Sequence, residues 1–300
     1  MNKIQVSVVI VNFNSLSLIS DCVDSIIENC TSTDYEIIVV SNSDEDPSEI
    51  NALKNKLPTI TYLETGSNLG FAKANNIGAK KASGEYLFFL NPDTILINDV
   101  LDIQYKKINR SPEIGLIGPA VFNQNGNQEP SVVSHITTLS LISLAFPFIN
   151  FFISKKKQGS FYSLDKSAYV DVVHGSCMFI SEKLYQNVGG MNEDFFLYSE
   201  ERDLCLKIEK AGFRVFFYYD AQINHIGGGT SKNLFLPLEI EKHRSKKKLI
   251  QLYYPHLVFL NKICGIIGYG IRTVVKVVSF NKFKARQFGT LFFWYLFKYK

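Results

Sequence analysis

Val6-Ser7-Val8-Val9-Ile10-Val11, running into Asn12-Phe13-Asn14-Ser15, decides how the rest of the chain is read. Apart from Ser7 the run is apolar and β-branched, without polar alternation, which predicts a strand covered on both faces of a parallel sheet. Ser15 then offers an N-cap, and Leu16, Ile19, Val23, Ile26 and Ile27 recur at helical spacing. Further along, Tyr35–Val40 reads as a second buried strand, Ser48–Lys56 as a helix and Ile60–Leu63 as a third strand. Phe71–Ala82 is a helix closed by Gly84, and Tyr86–Leu90 a fourth strand. This alternation predicts an α/β fold with a doubly wound, mostly parallel sheet and right-handed crossovers. Ligands of such sheets bind beyond the carboxyl ends of the strands, so the loops starting at Asn12, Ser41, Glu64 and Asn91 carry the candidate site.

After Arg110 the alternation weakens. Ile114–Phe122 predicts a strand ending in a turn at Asn123–Asn127, whose Asn and Gly residues accept positive φ. Ile136–Ile153 is mostly apolar but interrupted by Pro147 and followed by Lys155–Lys157, which argues for an interfacial or acceptor-facing helix pair and against a membrane crossing. A strand at Cys177–Ile180, a helix at Glu182–Val188, a loop at Gly189–Phe196, an amphipathic helix at Ser199–Ala211 and a strand at Val215–Tyr219 follow.

The net charge of +4 hides an asymmetry. Lys242–Lys300 holds thirteen of the 32 Lys and Arg and no Asp or Glu, which leaves residues 1–241 with 19 basic against all 28 acidic side chains. A nucleic-acid reader normally carries its basic footprint on the folded domain, so this pattern argues against one. It suits a body at 1–241 and a tail at 242–300 that lies on an anionic membrane surface, with a solvated basic helix pair as the plainer alternative. Within the tail, Gly265, Gly268 and Gly270, with Lys262 and Arg272, are expected to break the apolar stretch short of a twenty-residue span. Interfacial amphipathic helices rich in aromatics are the expectation, ordinary packing the alternative. Five cysteines without a CxxC pair predict reduced, buried thiols in a cytoplasmic protein. Asn12 and Asn14 stand where a secretion signal needs apolar residues, so none is expected.

Chemistry gathers at three places. Asn91-Pro92-Asp93-Thr94 puts an acid at the tip of the fourth strand, where a hard divalent cation would need oxygen ligands, although Asp after Pro is also a turn former. Phe195-Phe196-Leu197-Tyr198-Ser199-Glu200-Glu201-Arg202-Asp203 opens a helix with three carboxylates. Part of that is the acidic bias of a helix first turn, but the aromatics ahead would exclude water and raise a carboxyl's pKa, as a general base requires. His225 precedes Ile226-Gly227-Gly228-Gly229-Thr230, an open backbone able to approach phosphate or metal; a core histidine is the bland reading.

In this order and spacing, SVVIVNFNS, EIIVVSNS, NLGFAKANNIGAKKASGEYLFFLNPDT, VVHGSCMFISEKLYQNVGGMNEDFFLYSEERDLCLK and INHIGGG resemble glycosyltransferase family 2, in particular its rhamnosyltransferase-like branch. The resemblance implies a GT-A (Rossmann-like) fold, a nucleotide-sugar donor, a divalent metal (Mn2+ or Mg2+) and direct displacement with inversion. By resemblance, Asn91 and Asp93 match the DxD motif, with Asn91 on the donor in place of the first acid and Asp93 as the main metal carboxylate. His225 matches a metal- or diphosphate-binding histidine and Glu201 the catalytic base. Val11 and Phe13 match positions beside the nucleotide base, and Asn68, Gly70 and the helix start at Phe71 a donor-side loop. Ser41 departs from the pattern: relatives have an Asp there that accepts the N3–H of uracil or thymine, and Asp44 is the nearby stand-in. The implied donor is dTDP-rhamnose or a UDP-hexose, and the implied acceptor a lipid-linked oligosaccharide on the inner face of the cell membrane. Two rivals stay open. A nucleotidyltransferase would normally carry a glycine-rich basic loop after strand one, which VNFNSLSL lacks. A carbohydrate-binding scaffold is favoured by Ser41 and Asn91 and opposed by intact Asp93, Glu201 and His225.

Overall fold

The N-terminal β-branched run forms strand β1 (Val6–Asn12), buried along its whole length. A computed structural model describes residues 3–227 and 235–299; Gly228, Gly229 and Thr230 of the glycine run lie outside the described residues. The chain continues through α1 (Leu16–Asn29), β2 (Tyr35–Ser41), α2 (Pro47–Lys56), β3 (Thr61–Glu64), α3 (Phe71–Lys81) and β4 (Tyr86–Leu90). Ser15 precedes α1 but makes no side-chain cap; its hydroxyl donates to Asn12 Oδ1 at 2.9 Å. Asp46 caps α2 instead, accepting from Ser48 N–H.

Strands β3-β2-β1-β4 are parallel neighbours, with Val6 opposite both Tyr35 and Tyr86. The chain winds outward from β1 to β3 and then returns to the other side of β1, so the reversal opens a crevice at the carboxyl ends of β1 and β4. Next come β5 (Thr94–Leu96), α4 (Val100–Asn109), β6 (Ile114–Phe122), β7 (Val132–Val133), α5 (Thr138–Ala145), β8 (Ala168–Val170) and β9 (Val172–Val173). They are followed by β10 (Cys177–Ser181), α6 (Glu182–Asn187), α7 (Glu200–Lys210) and β11 (Arg214–His225). The sheet extends as β4-β10-β6-β11-β5. Beyond β4 it is mixed: β10 runs antiparallel to both neighbours, β11 parallel to β6, and β5 and β8 antiparallel to β11. β11 extends past the expected Tyr219 to His225, through a register shift between Tyr218 and Gln222, and β5 was not legible in the sequence.

The chain divides into two compact units, residues 1–133 with 162–230, and residues 134–161 with 231–300. The second unit thus begins before residue 242 and recruits the 134–161 segment. In the first unit Val8, Ile10, Ile19, Val23, Ile26, Val39, Phe88 and Phe179 share one fully buried cluster. Each such side chain contributes about 1.5–3 kcal/mol of burial. α3 seats closely because Gly78 has no side chain: a Cβ there would meet Val9 Cγ1 at 2.3 Å.

The second unit holds α5 with α8 (Phe235–Tyr253), α9 (Val258–Val278) and α10 (Lys282–Phe293). The Ile136–Ile153 stretch becomes α5 and a short 3-10 helix at Pro147–Phe151, broken where Pro147 predicted. The tail glycines do not break α9, which runs through all three. They are contact points: a Cβ on Gly265 would meet the Tyr295 ring at 2.3 Å, and one on Gly268 the Leu144 carbonyl oxygen at 2.4 Å. Pro255–Val278, 24 residues with an 18-residue window of mean hydropathy 1.4, is therefore long and apolar enough, by length and composition, to cross a membrane. His243 lies buried between Tyr269 and Tyr295, with hydroxyl contacts at 2.7 Å to Nε2 and 2.8 Å to Nδ1. Burial, reinforced by nearby Lys246, pushes its pKa down to about 3, so it is a neutral bracket.

Gly78→Val should strain the α3–β1 contact and cost about 1–3 kcal/mol. Urea denaturation followed by circular dichroism checks this; an unchanged midpoint would mean that α3 is not seated as described.

Candidate active site

The turn after β4 is held from several sides. Asn91 N–H donates to the Ser176 carbonyl at 2.9 Å, and Thr94 Oγ1 donates to the Asn91 carbonyl at 2.5 Å. β5 then pairs antiparallel with β11, placing Thr94 opposite His225, and Ile226 N–H donates to the Asp93 carbonyl at 2.8 Å. This register brings His225 Nε2 to 3.3 Å from Asp93 Oδ2, while His225 Nδ1 lies 3.2 Å from Glu129 Oε2. The hydrogen bond to Asp93 raises the His225 pKa, against burial and with help from Glu129.

Asn91 Oδ1 and Asp93 Oδ1 are buried and accept no hydrogen bond among the described residues. Orphaned buried acceptors cost about 1–3 kcal/mol each unless a ligand satisfies them. Adjacent ligands about 2.1 Å from a six-coordinate ion stand roughly 3 Å apart. The Nε2–Oδ2 separation of 3.3 Å is of that size. A divalent cation fits the imidazole and carboxylate of this pair, and Asn91, two residues before Asp93 in the same turn, adds an unsatisfied amide oxygen.

His174 sits beside His225, with ring centroids 6.3 Å apart. Its Nδ1 accepts from Ser176 N–H at 3.2 Å, and burial, with His225 beside it, pushes its pKa down to about 4. The next residue, Gly175, lies beside α7: a Cβ there would make an ordinary van der Waals contact, 3.4 Å from Glu201 Cβ. Glu201 and Glu200 open α7, both buried, and Glu200 Oε2 accepts no hydrogen bond among the described residues. Burial pushes both carboxyls up; the Glu201 charge pushes Glu200 further, while Arg202 opposes the rise at Glu201. Asp203, the third acid, is paired with Lys207 at 2.9 Å. Tyr198 and Ser199, immediately before the pair, hold φ of 68° and 69°. Non-glycine residues in this region cost of order 1–3 kcal/mol each, a strain that the surroundings must enforce.

The aromatic loop ahead of α7 is tied to the Asn68–Gly70 loop. Phe71 N–H donates to the Phe196 carbonyl at 2.8 Å, and Gly70, at φ 88°, is the residue that permits the approach, since its Cβ would meet that oxygen at 2.6 Å. The first amide of α3 is therefore already bonded. Asn68 Oδ1 accepts from Gly70 N–H at 3.0 Å and from Asn42 Nδ2 at 3.2 Å, which makes it a bracket of this loop.

At the ends of β1 and β2, Val11 is buried, Phe13 is exposed and Ser41 is buried. Asp44, the expected stand-in for the absent carboxylate, is exposed and does not reach Ser41. Glu45 does. Its Oε2 accepts from Ser41 Oγ at 3.2 Å and Tyr62 OH at 3.1 Å; its Oε1 accepts from Asn12 Nδ2 at 2.6 Å and Ser43 Oγ at 3.1 Å. Burial pushes Tyr62 up to about 12, so it stays a donor. Sequence reasoning missed Glu45, Glu129 and His174. Only Glu45, in the short loop directly after Ser41, carried a local hint.

Residues 7–189 match the profile of Glycosyl transferase family 2. The chain belongs to that family. The matched stretch contains Asp93 and ends before Glu201 and His225. The low-salt glycan biosynthesis hexosyltransferase Agl10 of Haloferax volcanii is 28% identical over 216 residues, covering 70% of this chain and 63% of its own length. Rhamnosyltransferase WbbL of Escherichia coli is 25% identical over 205 residues, 66% of this chain and 75% of WbbL. An N-acetylglucosaminyl-diphospho-decaprenol L-rhamnosyltransferase of Mycobacterium tuberculosis is 23% identical over 210 residues, 65% of this chain and 67% of the relative. Among solved structures, GalNAc-T7 with UDP, GalNAc and Mn2+ superposes with a TM-score of 0.59 at 15% identity, over 87% of this chain and 55% of that one. The mannosyltransferase PcManGT from Pyrobaculum calidifontis, with GDP-Man and Mn2+, gives 0.59 at 16% identity, over 100% and 89%. At such identities the likeness is one of fold, and the fold is GT-A.

Glu45→Ala should leave four converging donors without their acceptor and cost about 1–3 kcal/mol. Asp44→Ala, at an exposed position, should stay within about 0.5 kcal/mol. Paired thermal melts decide: equal melting temperatures would remove Glu45 as the organiser of this loop.

Proposed function

We propose that this chain is an inverting glycosyltransferase that moves a sugar from a nucleotide-sugar onto a carbohydrate acceptor. The carrying observation is the Asp93–His225 pair, with its orphaned oxygens, joined through His174 and Gly175 to a buried, raised carboxyl at Glu201. In this reading Glu201 takes the proton of the acceptor hydroxyl as that oxygen bonds to the anomeric carbon. The bond from that carbon to the diphosphate breaks on the opposite face, and the diphosphate leaves with the electron pair. A divalent cation on Asp93 and His225 would supply positive charge to that leaving group; the Mn2+ in both solved neighbours supports this. Asn91 contacts the donor. Ser41, backed by Glu45, with Val11 and Phe13, lines the base end, two strand spacings or about 10 Å from β4. The two rhamnosyltransferases among the relatives favour dTDP-rhamnose, and Agl10 keeps a UDP-hexose as the second choice.

The acceptor in this reading is lipid-linked, and the protein is peripheral on the inner face of the cell membrane. Support comes from the second unit, where Phe151, Phe152, Val278, Phe280 and Phe283 are exposed, Phe151 and Phe280 at 89%. Lys155–Lys157, Lys276, Lys282 and Lys284 flank them in sequence, and residues 242–300 contain no acid to offset the charge. Exposed aromatics with basic neighbours suit insertion at the headgroup level of an anionic bilayer.

A screen of nucleotide-sugars with Mn2+ or Mg2+, followed by nucleotide release, tests the chemistry. Glu201→Gln keeps the shape but cannot take a proton, so turnover should fall by roughly 10²–10⁴ with donor binding retained. Because the base works deprotonated and its pKa is raised above 4.5, activity should climb with pH through an apparent pKa above that value. Loss in Glu200→Gln with full activity in Glu201→Gln would reverse the assignment, full activity in both would remove both as the base, and no turnover in wild type with any nucleotide-sugar would favour a scaffold. For the membrane, the protein should sediment with anionic but not neutral liposomes and be released by high salt plus mild detergent. Phe280→Ser with Phe283→Ser should weaken sedimentation by about tenfold or more, since each removed aromatic forfeits of order 1.5 kcal/mol. These substitutions are cleaner than removing Leu249–Lys300, which would strip α9 and α10 from a folded unit. A soluble wild type beside anionic vesicles at low salt would end the membrane reading.

A further inference from the structure

We infer that Glu129 is a positioning residue that decides which nitrogen of His225 faces the cation; the inference rests on the metal reading of Asp93 and His225. An imidazole offers a lone pair on one nitrogen only while the other carries the proton, and the partner of that proton selects the tautomer. His225 lies between two carboxylates, Asp93 Oδ2 at 3.3 Å from Nε2 and Glu129 Oε2 at 3.2 Å from Nδ1. A proton held on Nδ1 by Glu129 leaves the Nε2 lone pair facing Asp93, whose Oδ1 is also unsatisfied. Glu129 is on the far nitrogen, so it orients the ligand and does not join the same donor set.

The backbone gives Glu129 the means to do this. Asn123 N–H donates to the Asn127 carbonyl and Gly126 N–H to the Asn123 carbonyl, both at 2.9 Å, which folds the turn after β6 back on its strand. Phe122 bridges Gln128, and Glu129 N–H donates to the Val121 carbonyl at 2.8 Å. Gln128 Nε2 anchors the other side on the Leu164 carbonyl at 2.6 Å. Val121 and Phe122 pair with Ile223 and Asn224 of β11, so the returning chain delivers Glu129 beside His225. An acid held by its neighbours' backbone on both sides aims its carboxylate with less conformational loss than a loose surface side chain.

The test is direct Mn2+ titration, by calorimetry and by electron paramagnetic resonance of free Mn2+, on wild type, Glu129→Ala, Glu129→Gln and Asp93→Ala. Loss of such an outer carboxylate typically weakens metal binding 10–100-fold, and that is expected for Glu129→Ala. Glu129→Gln keeps an acceptor oxygen and should stay within about threefold of wild type, on the same principle that an acceptor suffices to hold the tautomer. In ¹⁵N-histidine spectra of the Zn2+-loaded protein, the His225 signal should report the Nδ1–H tautomer in wild type and Glu129→Gln and lose it in Glu129→Ala. Wild-type affinity and tautomer in Glu129→Ala, with binding abolished in Asp93→Ala, overturn the role of Glu129 alone. Absent Mn2+ binding in wild type, or unchanged binding in Asp93→Ala, overturns the metal reading itself. Should Glu129→Ala fail to fold, a tautomer lost in a folded Glu129→Lys supports the inference, and one retained there overturns it.

Discussion

The pairing of β5 with β11 is the constraint on which the site depends. Three residues of strand suffice, because the antiparallel register puts Thr94 opposite His225 and lets Ile226 bond to the Asp93 backbone. A turn carrying an acid meets the histidine only when that ladder closes. The histidine arrives on a strand that also pairs with β6 and passes through a register shift. Geometry of about an ångström at Asp93 is thus secured by backbone hydrogen bonds far stiffer than the side chains they position.

Around this ladder the structure spends stability on polarity. Two carboxyls at the start of α7 are taken out of water, one of them with an unsatisfied oxygen, and the two residues before them sit at positive φ. None of this is favourable by itself: buried carboxyls and left-handed non-glycine residues each raise the energy of the fold. The cost is carried by the apolar cluster beneath the sheet and by the ties that fix the aromatic loop, such as the bond from Phe71 to Phe196. The same environment that penalises charge on Glu201 makes it a stronger proton acceptor once ionised.

The second unit solves a different problem. Its helices meet through glycines that admit the Tyr295 ring and the α5 backbone, and buried His243 links two tyrosines. That packing leaves the basic and aromatic residues of the α9–α10 turn outside, so compactness and an apolar exterior coexist in one small unit.

Much was decided by the sequence alone. The β-branched run at Val6, the alternation through Leu90 and the proline at 147 each act within a few residues, and local propensity and periodicity are enough to place them. Asp93, Glu201 and His225 were legible as candidates because their chemistry is written in short motifs. What lay beyond the sequence was every relation between distant segments. The glycines of α9 read as breaks because a residue's own propensity says nothing of the ring packed against it. Asp44 was the nearer guess for a carboxylate beside Ser41, but Asp44 is exposed and it is Glu45 that bonds Ser41. Glu129 carried no signal at all. Its position follows from a turn folding back on β6 and from the register of β6 with β11, and strand register is set by the whole sheet's burial pattern, which only the tertiary structure resolves.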